Sequence, residues 1–184
     1  IENADSQKEE TVSITSFALP YLSGETLDPI TCSDGMQQTL LPLLYEGLFE
    51  LDTAFNPQNV LCASYTCSED AKVWTFTLRS GVCFSDGSEL RADDVVATLQ
   101  RAKASARYGA RLSAVSSIRA EGGQVVITLS ESNSRLNALL DIPIVSKSSI
   151  GTNVPLGTGP YVYQTQESGP VLAANSGWWQ QKTL

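Results

Sequence analysis

Apolar and polar residues alternate through "TVSITSF" (11–17), a β-branched run that predicts a strand. The stretch "ALPYLSGETLDP" then places Pro20, Gly24 and Pro29 in a loop. From Ser33 or Asp34 to about Leu48, Met36, Leu40, Leu43, Leu44 and Leu48 follow a helical spacing, with Pro42 set to kink that helix or shift its start. Period-two patterning returns near 61–67 and again in "VWTFTL" (73–78), separated by the polar turn "SEDAK", so a hairpin is expected with Trp74, Phe76 and Leu78 facing the core. The dipeptide Asp86-Gly87 marks a tight turn, and "ADDVVATLQRAKASA" (92–106) predicts a helix with Val95, Val96, Leu99 and Ala102 on or near one face. A second hairpin is expected around Gly122-Gly123, then a short helix at "SRLNALL" (134–140) and an apolar strand at "IPIV" (142–145). Two short strands, "YVYQT" and "PVLAAN", lie in the Gly- and Pro-rich last stretch.

No internal repeat is visible. Consecutive hairpins with interspersed helices, in place of regular βαβ alternation, give a mixed α/β fold of α+β-like arrangement. The 184 residues, 42% of them hydrophobic and 17% charged, suit one ordinary folded domain or two small ones. Twenty acidic against twelve basic residues leave a net charge of −8, which repels phosphate backbones, so no nucleic-acid partner is expected. The chain has no histidine, which removes Ser-His-Asp and Cys-His nucleophiles, His metal sites and His proton shuttles. No apolar run approaches a membrane span, and the polar, acidic start "IENADSQKEET" is unlike a signal peptide and suits a mature or trimmed protein.

Asp93 and Asp94 fall in the first turn of the predicted helix, where carboxylates meet the positive end of the helix dipole. Adjacent helix residues diverge by about 100°, so they do not form a converging acid pair. "LGTGPY" (156–161) lacks the Lys-Ser/Thr and the following helix of a phosphate loop; its glycines fit a backbone turn. Cys32, Cys62, Cys67 and Cys83 match no zinc spacing, and they fit either disulfides in an oxidising compartment or buried thiols. No metal or cofactor is expected. Trp178-Trp179 stand beside a polar "QQKTL" end that offers little cover, so their packing partner is expected to be missing.

The segments "LDP" (27–29), "LYEGLFELD" (44–52), "WTFTLRSGVCFSDGSELRADDVV" (74–96), "VVITLSESN" (125–133) and "GTGPYVY" (157–163), in this order, resemble the family 5 extracellular solute-binding proteins, the oligopeptide and dipeptide receptors of ABC importers. The resemblance implies a periplasmic-binding-protein-like type II fold of two lobes. Residues 1–50 and 155–184 would belong to an N-terminal lobe, with 51–154 as a smaller inserted α/β subdomain. Family members are much longer, which makes this chain look like an N-terminal portion, with Trp178-Trp179 packing on residues beyond position 184. The family usually has Thr or Ser where Arg91 stands, so a helix cap worth about 1 kcal/mol is expected to be absent. It usually has Lys where Cys83 stands, which implies a partner cysteine; 67–83 or 62–83 are the first pairings to consider.

By resemblance, the ligand-facing positions are Ser33, Asp34 and Gly35, which would pair with the backbone of an extended peptide, and Tyr108, which would form an aromatic side wall. Ser33 and Asp34 are equally good helix caps. The implied function is capture of oligopeptides or dipeptides outside the cell, by a monomer working with ABC permease subunits. It is not an enzyme, and it would be held at the cell surface by a lipid on an upstream cysteine or would lie in the periplasm. With half the site elsewhere, this stretch alone is expected to bind weakly. Alternatives are a sensing domain of a signalling protein, or a receptor for a nickel chelate, haem or a sugar. A carboxylate-dependent hydrolase, using Asp86, Asp93 or Asp94, is the competing enzymatic reading.

Overall fold

The period-two pattern of "VWTFTL" becomes the interior of a sheet. In a computed structural model that describes residues 19–180, strand β4 (Val73–Leu78) lies between β3 (Cys62–Cys67) and β6 (Gln124–Leu129), and β5 (Val115–Glu121) completes the four-stranded antiparallel order β3-β4-β6-β5. Trp74 and Phe76 are buried on one face, their rings stacked at 6.0 Å, while the intervening Thr75 points the other way. Gly122 and Gly123, both at positive φ (58° and 80°), close the β5–β6 hairpin, a conformation that glycine adopts without a Cβ penalty. Two small hairpins flank this sheet: β1 (Phe49–Leu51) with β2 (Pro57–Asn59), and β7 (Tyr161–Gln166) with β8 (Gly169–Ala174). The strand expected over 11–17 lies outside the described residues.

Helix α3 (Ala92–Ala104) lies against the sheet and buries Val95, Leu99 and Ala102, the face its sequence spacing predicts. Arg91 stands at its N-cap and makes no side-chain cap. The compensation comes from inside the helix: Asp94 Oδ2 accepts from the Arg91 backbone N–H at 2.9 Å, and its Oδ1 accepts from Lys147 N at 2.8 Å, tying the helix start to the 3-10 turn Lys147–Ser149.

Three expected elements differ. The helix foreseen to Leu48 is two single turns, α1 (Gly35–Gln38) and α2 (Leu41–Leu44). Pro42 has no N–H to offer the Gln38 carbonyl, and the Leu44 carbonyl accepts instead from Gly159 N at 3.0 Å. "IPIV" (142–145) joins no strand. Ile144 N donates to Glu46 O, Val145 N to Thr98 Oγ1 and Ser146 N to Leu156 O, three acceptors on three segments, so no ladder forms. "SRLNALL" folds as a 3-10 turn, Leu136–Leu139.

A second apolar cluster gathers Leu27, Cys32, Leu40, Leu41, Leu44, Tyr45 and Val145, with Tyr163 and Leu172 of the β7–β8 hairpin resting on it. Gly157 and Gly159 make this junction possible. Neither has positive φ; a Cβ on Gly157 would sit 2.1 Å from the Leu44 carbonyl oxygen, and one on Gly159 2.5 Å from the Leu44 carbonyl carbon. Close approach of two backbones, rather than the turn expected from the sequence, demands these glycines.

All four cysteines are free thiols, so neither 67–83 nor 62–83 is formed. Cys62 and Cys67 sit at opposite ends of β3, and their thiols donate to the Ser64 and Ser68 carbonyls.

Candidate functional site

Asp34 caps α1, its Oδ1 accepting from Met36 N (2.9 Å) and Gln37 N (3.0 Å). Its carboxylate is therefore engaged by its own helix, while Ser33 and Gly35 are exposed beside it. The loop before α1 is held from across the molecule. Arg101 of α3 reaches Asp28 Oδ2 at 2.8 Å, and Arg107 Nη1 donates to the Cys32 carbonyl at 2.9 Å, where Gln38 Nε2 also arrives.

Tyr108 follows the end of α3 in a run of turns. Ser105 Oγ accepts from Tyr108 N at 3.0 Å, and the Ser105 carbonyl accepts from Gly109 N at 2.9 Å. A Cβ on Gly109 would lie 2.6 Å from that carbonyl, so glycine there lets the chain turn and sets Tyr108 inward. Tyr108 is only 5% exposed. The guanidinium carbons of Arg107 and Arg111 stand 5.3 Å and 5.1 Å from its ring centroid, and both arginines are exposed. Tyr108, expected to form an aromatic side wall, is thus a buried ring with two guanidinium groups beside it.

These residues line an open cleft of about 540 Å³. Its walls come from the α2–β1 region (Leu41, Tyr45, Glu46), from Val60, from Arg107, Tyr108 and Arg111, from Asp141 and from Trp178. Tyr108 is brought to this cleft; Ser33, Asp34 and Gly35 are not in its lining, although Arg107 joins their loop to it.

Glu46 organises the opposite wall. Its carboxylate accepts from Thr158 Oγ1 (3.0 Å), Trp178 Nε1 (3.4 Å), Trp179 Nε1 (2.7 Å) and Gln180 Nε2 (2.9 Å). The Arg79 guanidinium stands 5.0 Å from the Trp179 ring centroid. The partner expected to be missing for the two indoles is therefore in this chain, as one carboxylate and one cation. The sequence signal for the cleft was the spacing Arg107-Tyr108-x-x-Arg111; Glu46 carries no local signal, because all four of its donors lie more than a hundred residues away.

The acids weighed for hydrolysis serve backbone geometry. Asp86 Oδ1 accepts from the Ser88 hydroxyl at 2.5 Å and from Ser88 N at 2.9 Å, with Gly87 at φ 86°, and these hydrogen bonds hold its carboxyl below the ordinary carboxylate range. Asp94 is committed to α3 and to Lys147, and Asp93 is an exposed first-turn acid. Among the described residues, no group of three acids or cysteines is placed to hold a metal ion, and no helix is long and apolar enough to cross a membrane.

The profile of the bacterial extracellular solute-binding proteins, family 5 middle, matches residues 56–184. The glutathione-binding protein GsiB of Salmonella typhi is 33% identical over 171 residues, covering 85% of this chain and 33% of that protein. The chain spans about a third of the length of the curated relatives it matches. Among solved structures, MoaA of A. tumefaciens R10, in complex with mannopinic acid, superposes with a TM-score of 0.76 at 28% identity, over 84% of this chain and 36% of that one. The pheromone receptor PrgZ, described with its mode of peptide binding, gives 0.74 at 25% identity, over 85% and 38%. The fold is the periplasmic-binding-protein-like type II fold that the sequence resemblance implied.

Proposed function

Because this chain belongs to the family 5 bacterial extracellular solute-binding proteins, we propose that it is part of the ligand-capturing receptor of an ABC importer, taking oligopeptides or dipeptides outside the cell. The observation that carries the reading is the open cleft beside Tyr108, built from several separated stretches of chain with polar groups on its walls, where Glu46 accepts four side-chain hydrogen bonds and Asp141 pairs with Arg111. Such a lining suits reversible capture rather than bond breaking. Residues 1–50 with 155–184 form the first lobe and 51–154 the inserted subdomain; a second lobe closes over the cleft. Ser33, Asp34 and Gly35, outside the cleft lining but tied to it through Arg107, border the end of an extended ligand through their backbone, as in strand addition. The receptor is a monomer, lies at the cell surface on a lipid anchor or in the periplasm, and delivers its ligand to ABC permease subunits.

GsiB is named for glutathione binding and PrgZ for peptide binding, which supports a peptide ligand. MoaA, in complex with mannopinic acid, favours a second reading in which the solute is a small non-peptide acid. Native mass spectrometry of the receptor purified from its own cells without denaturation separates the two. Release of peptides a few residues long supports the first reading. Release of a non-peptide solute supports the second, and an unliganded receptor that also fails to bind a random tripeptide mixture overturns the peptide reading.

A further inference from the structure

We infer that Arg101 is a positioning residue: with Arg107 it holds, from α3 and the turn after it, the loop 28–35 that carries Ser33, Asp34 and Gly35. This rests on the solute-receptor reading and adds to it the device that sets one border of the ligand site. The loop is wound around Asp28, whose carbonyl accepts from Thr31 N at 3.2 Å and Cys32 N at 2.8 Å, and whose Oδ1 accepts from Ile30 N at 3.0 Å. These local bonds shape the turn. Two further ties come from 73 and 75 residues away: Arg101 Nη2 donates to Asp28 Oδ2 at 2.8 Å, and Arg107 Nη1 donates to the Cys32 carbonyl at 2.9 Å. One arginine grips the start of the loop and the other the residue before Ser33, so the loop cannot pivot about a single contact.

Stability alone does not account for the Asp28–Arg101 pair. The Asp28 side chain is 5% exposed and that of Arg101 27%, so both charges are largely withdrawn from water, a cost that offsets much of their attraction. Arg101 Nη1 is also buried with no acceptor among the described residues, which adds to that cost. The loop already has an apolar hold, since Leu27, Ile30 and Cys32 are buried. Apolar burial is non-directional, whereas a guanidinium with fixed N–H vectors sets the loop at one place and angle. As a strut, α3 is itself braced, through Asp94 to Lys147 N and through Thr98 Oγ1 to the Val145 backbone. Arg101 lies outside the cleft lining, so its substitution reaches a ligand only through the loop it holds.

Cys32 makes the loop readable, because its thiol is buried and donates to the Asp34 carbonyl. Iodoacetamide labelling of the complete gene product, followed cysteine by cysteine by mass spectrometry, tests the inference together with calorimetric titration with trialanine. Exposed Cys67 is the fast reference, and Cys62, buried in the main core, reports opening of the whole fold. In Arg101→Met, Cys32 is expected to label about tenfold faster with Cys62 unchanged, and the affinity for trialanine to fall about tenfold. Arg101→Lys, which keeps the charge, should recover part of both, and Arg107→Gln should speed Cys32 labelling in the same way. Cys32 and Cys62 labelling faster together, or neither changing, overturns the inference, because Arg101 then serves the whole fold or nothing. Faster Cys32 labelling with unchanged trialanine affinity also overturns it, since the loop would then be held without setting the ligand site. Wild-type protein that binds no trialanine at millimolar concentration overturns the peptide reading instead, and the ratio of Cys32 to Cys62 labelling still decides whether Arg101 holds the loop.

Discussion

Alanine at position 157 would place its Cβ 2.1 Å from the Leu44 carbonyl oxygen, and a backbone atom cannot swing aside as a side chain can. Gly157→Ala should therefore cost about 2–3 kcal/mol in denaturant unfolding, whereas Gly35→Ala, with open space around its Cβ, should cost nothing measurable. Glu46 makes a comparable demand from the polar side. Removing its carboxylate in Glu46→Ala leaves two indole N–H groups, a buried threonine hydroxyl and an amide without their acceptor, at a cost of about 2 kcal/mol or more. Tryptophan emission should shift to the red in that variant as the indoles lose their anchor; an unchanged spectrum would show that they are held by packing alone. Cys62, Tyr21 and Tyr45, whose phenol burial pushes up furthest, together lower stability at alkaline pH. Burial pushes the Cys62 thiol up to about 11, and the hydrogen bond with Tyr163, followed by burial, pushes the Tyr21 phenol up to about 12. The folded chain then holds these protons more tightly than the unfolded chain, so stability is flat below about pH 9 and declines as pH rises toward 11 and 12. Cys62→Ala should flatten the part of the melting-temperature profile between pH 9 and 11.

At the level of elements, α3 keeps a firm start without a capping side chain because Asp94 receives the N–H groups of both Arg91 and Lys147. Asp94→Ala should lower stability by about 1–2 kcal/mol and speed amide exchange at Lys147 as well as at the helix start; exchange confined to residues 91–94 would mean that the tie to the 3-10 turn contributes nothing. Elements whose cause is local are legible in the sequence: α3 from its apolar stripe, the β3–β4 and β5–β6 hairpins from alternation and turn residues, and the Asp86-Gly87 turn from its own dipeptide. Elements decided by a distant partner are not. "IPIV" has a strand's composition, yet the Ile144 and Val145 donors are taken by Glu46 and Thr98, and that of Ser146 after it by Leu156. The helix over 35–48 has a helical period, yet Pro42 and the arrival of Gly159 divide and end it. The same distinction separates the parts of the cleft. Tyr108 could be picked out by likeness to a family and its cover by Arg107 and Arg111 comes from its own neighbours in sequence, whereas the clasp on Glu46 exists only once 46, 158 and 178–180 are brought together.

For the molecule as a whole, an open cleft lined from scattered segments, a fold shared with type II binding proteins and family 5 membership are what the proposed account rests on, a receptor that captures a small solute for an importer. The most direct measurement is uptake of radiolabelled trialanine by intact cells with and without the gene. The account predicts that uptake at low peptide concentration falls to background in the deletion strain and returns when the intact gene is supplied on a plasmid. Uptake that is unchanged by the deletion, in cells with no other peptide receptor expressed, would contradict it.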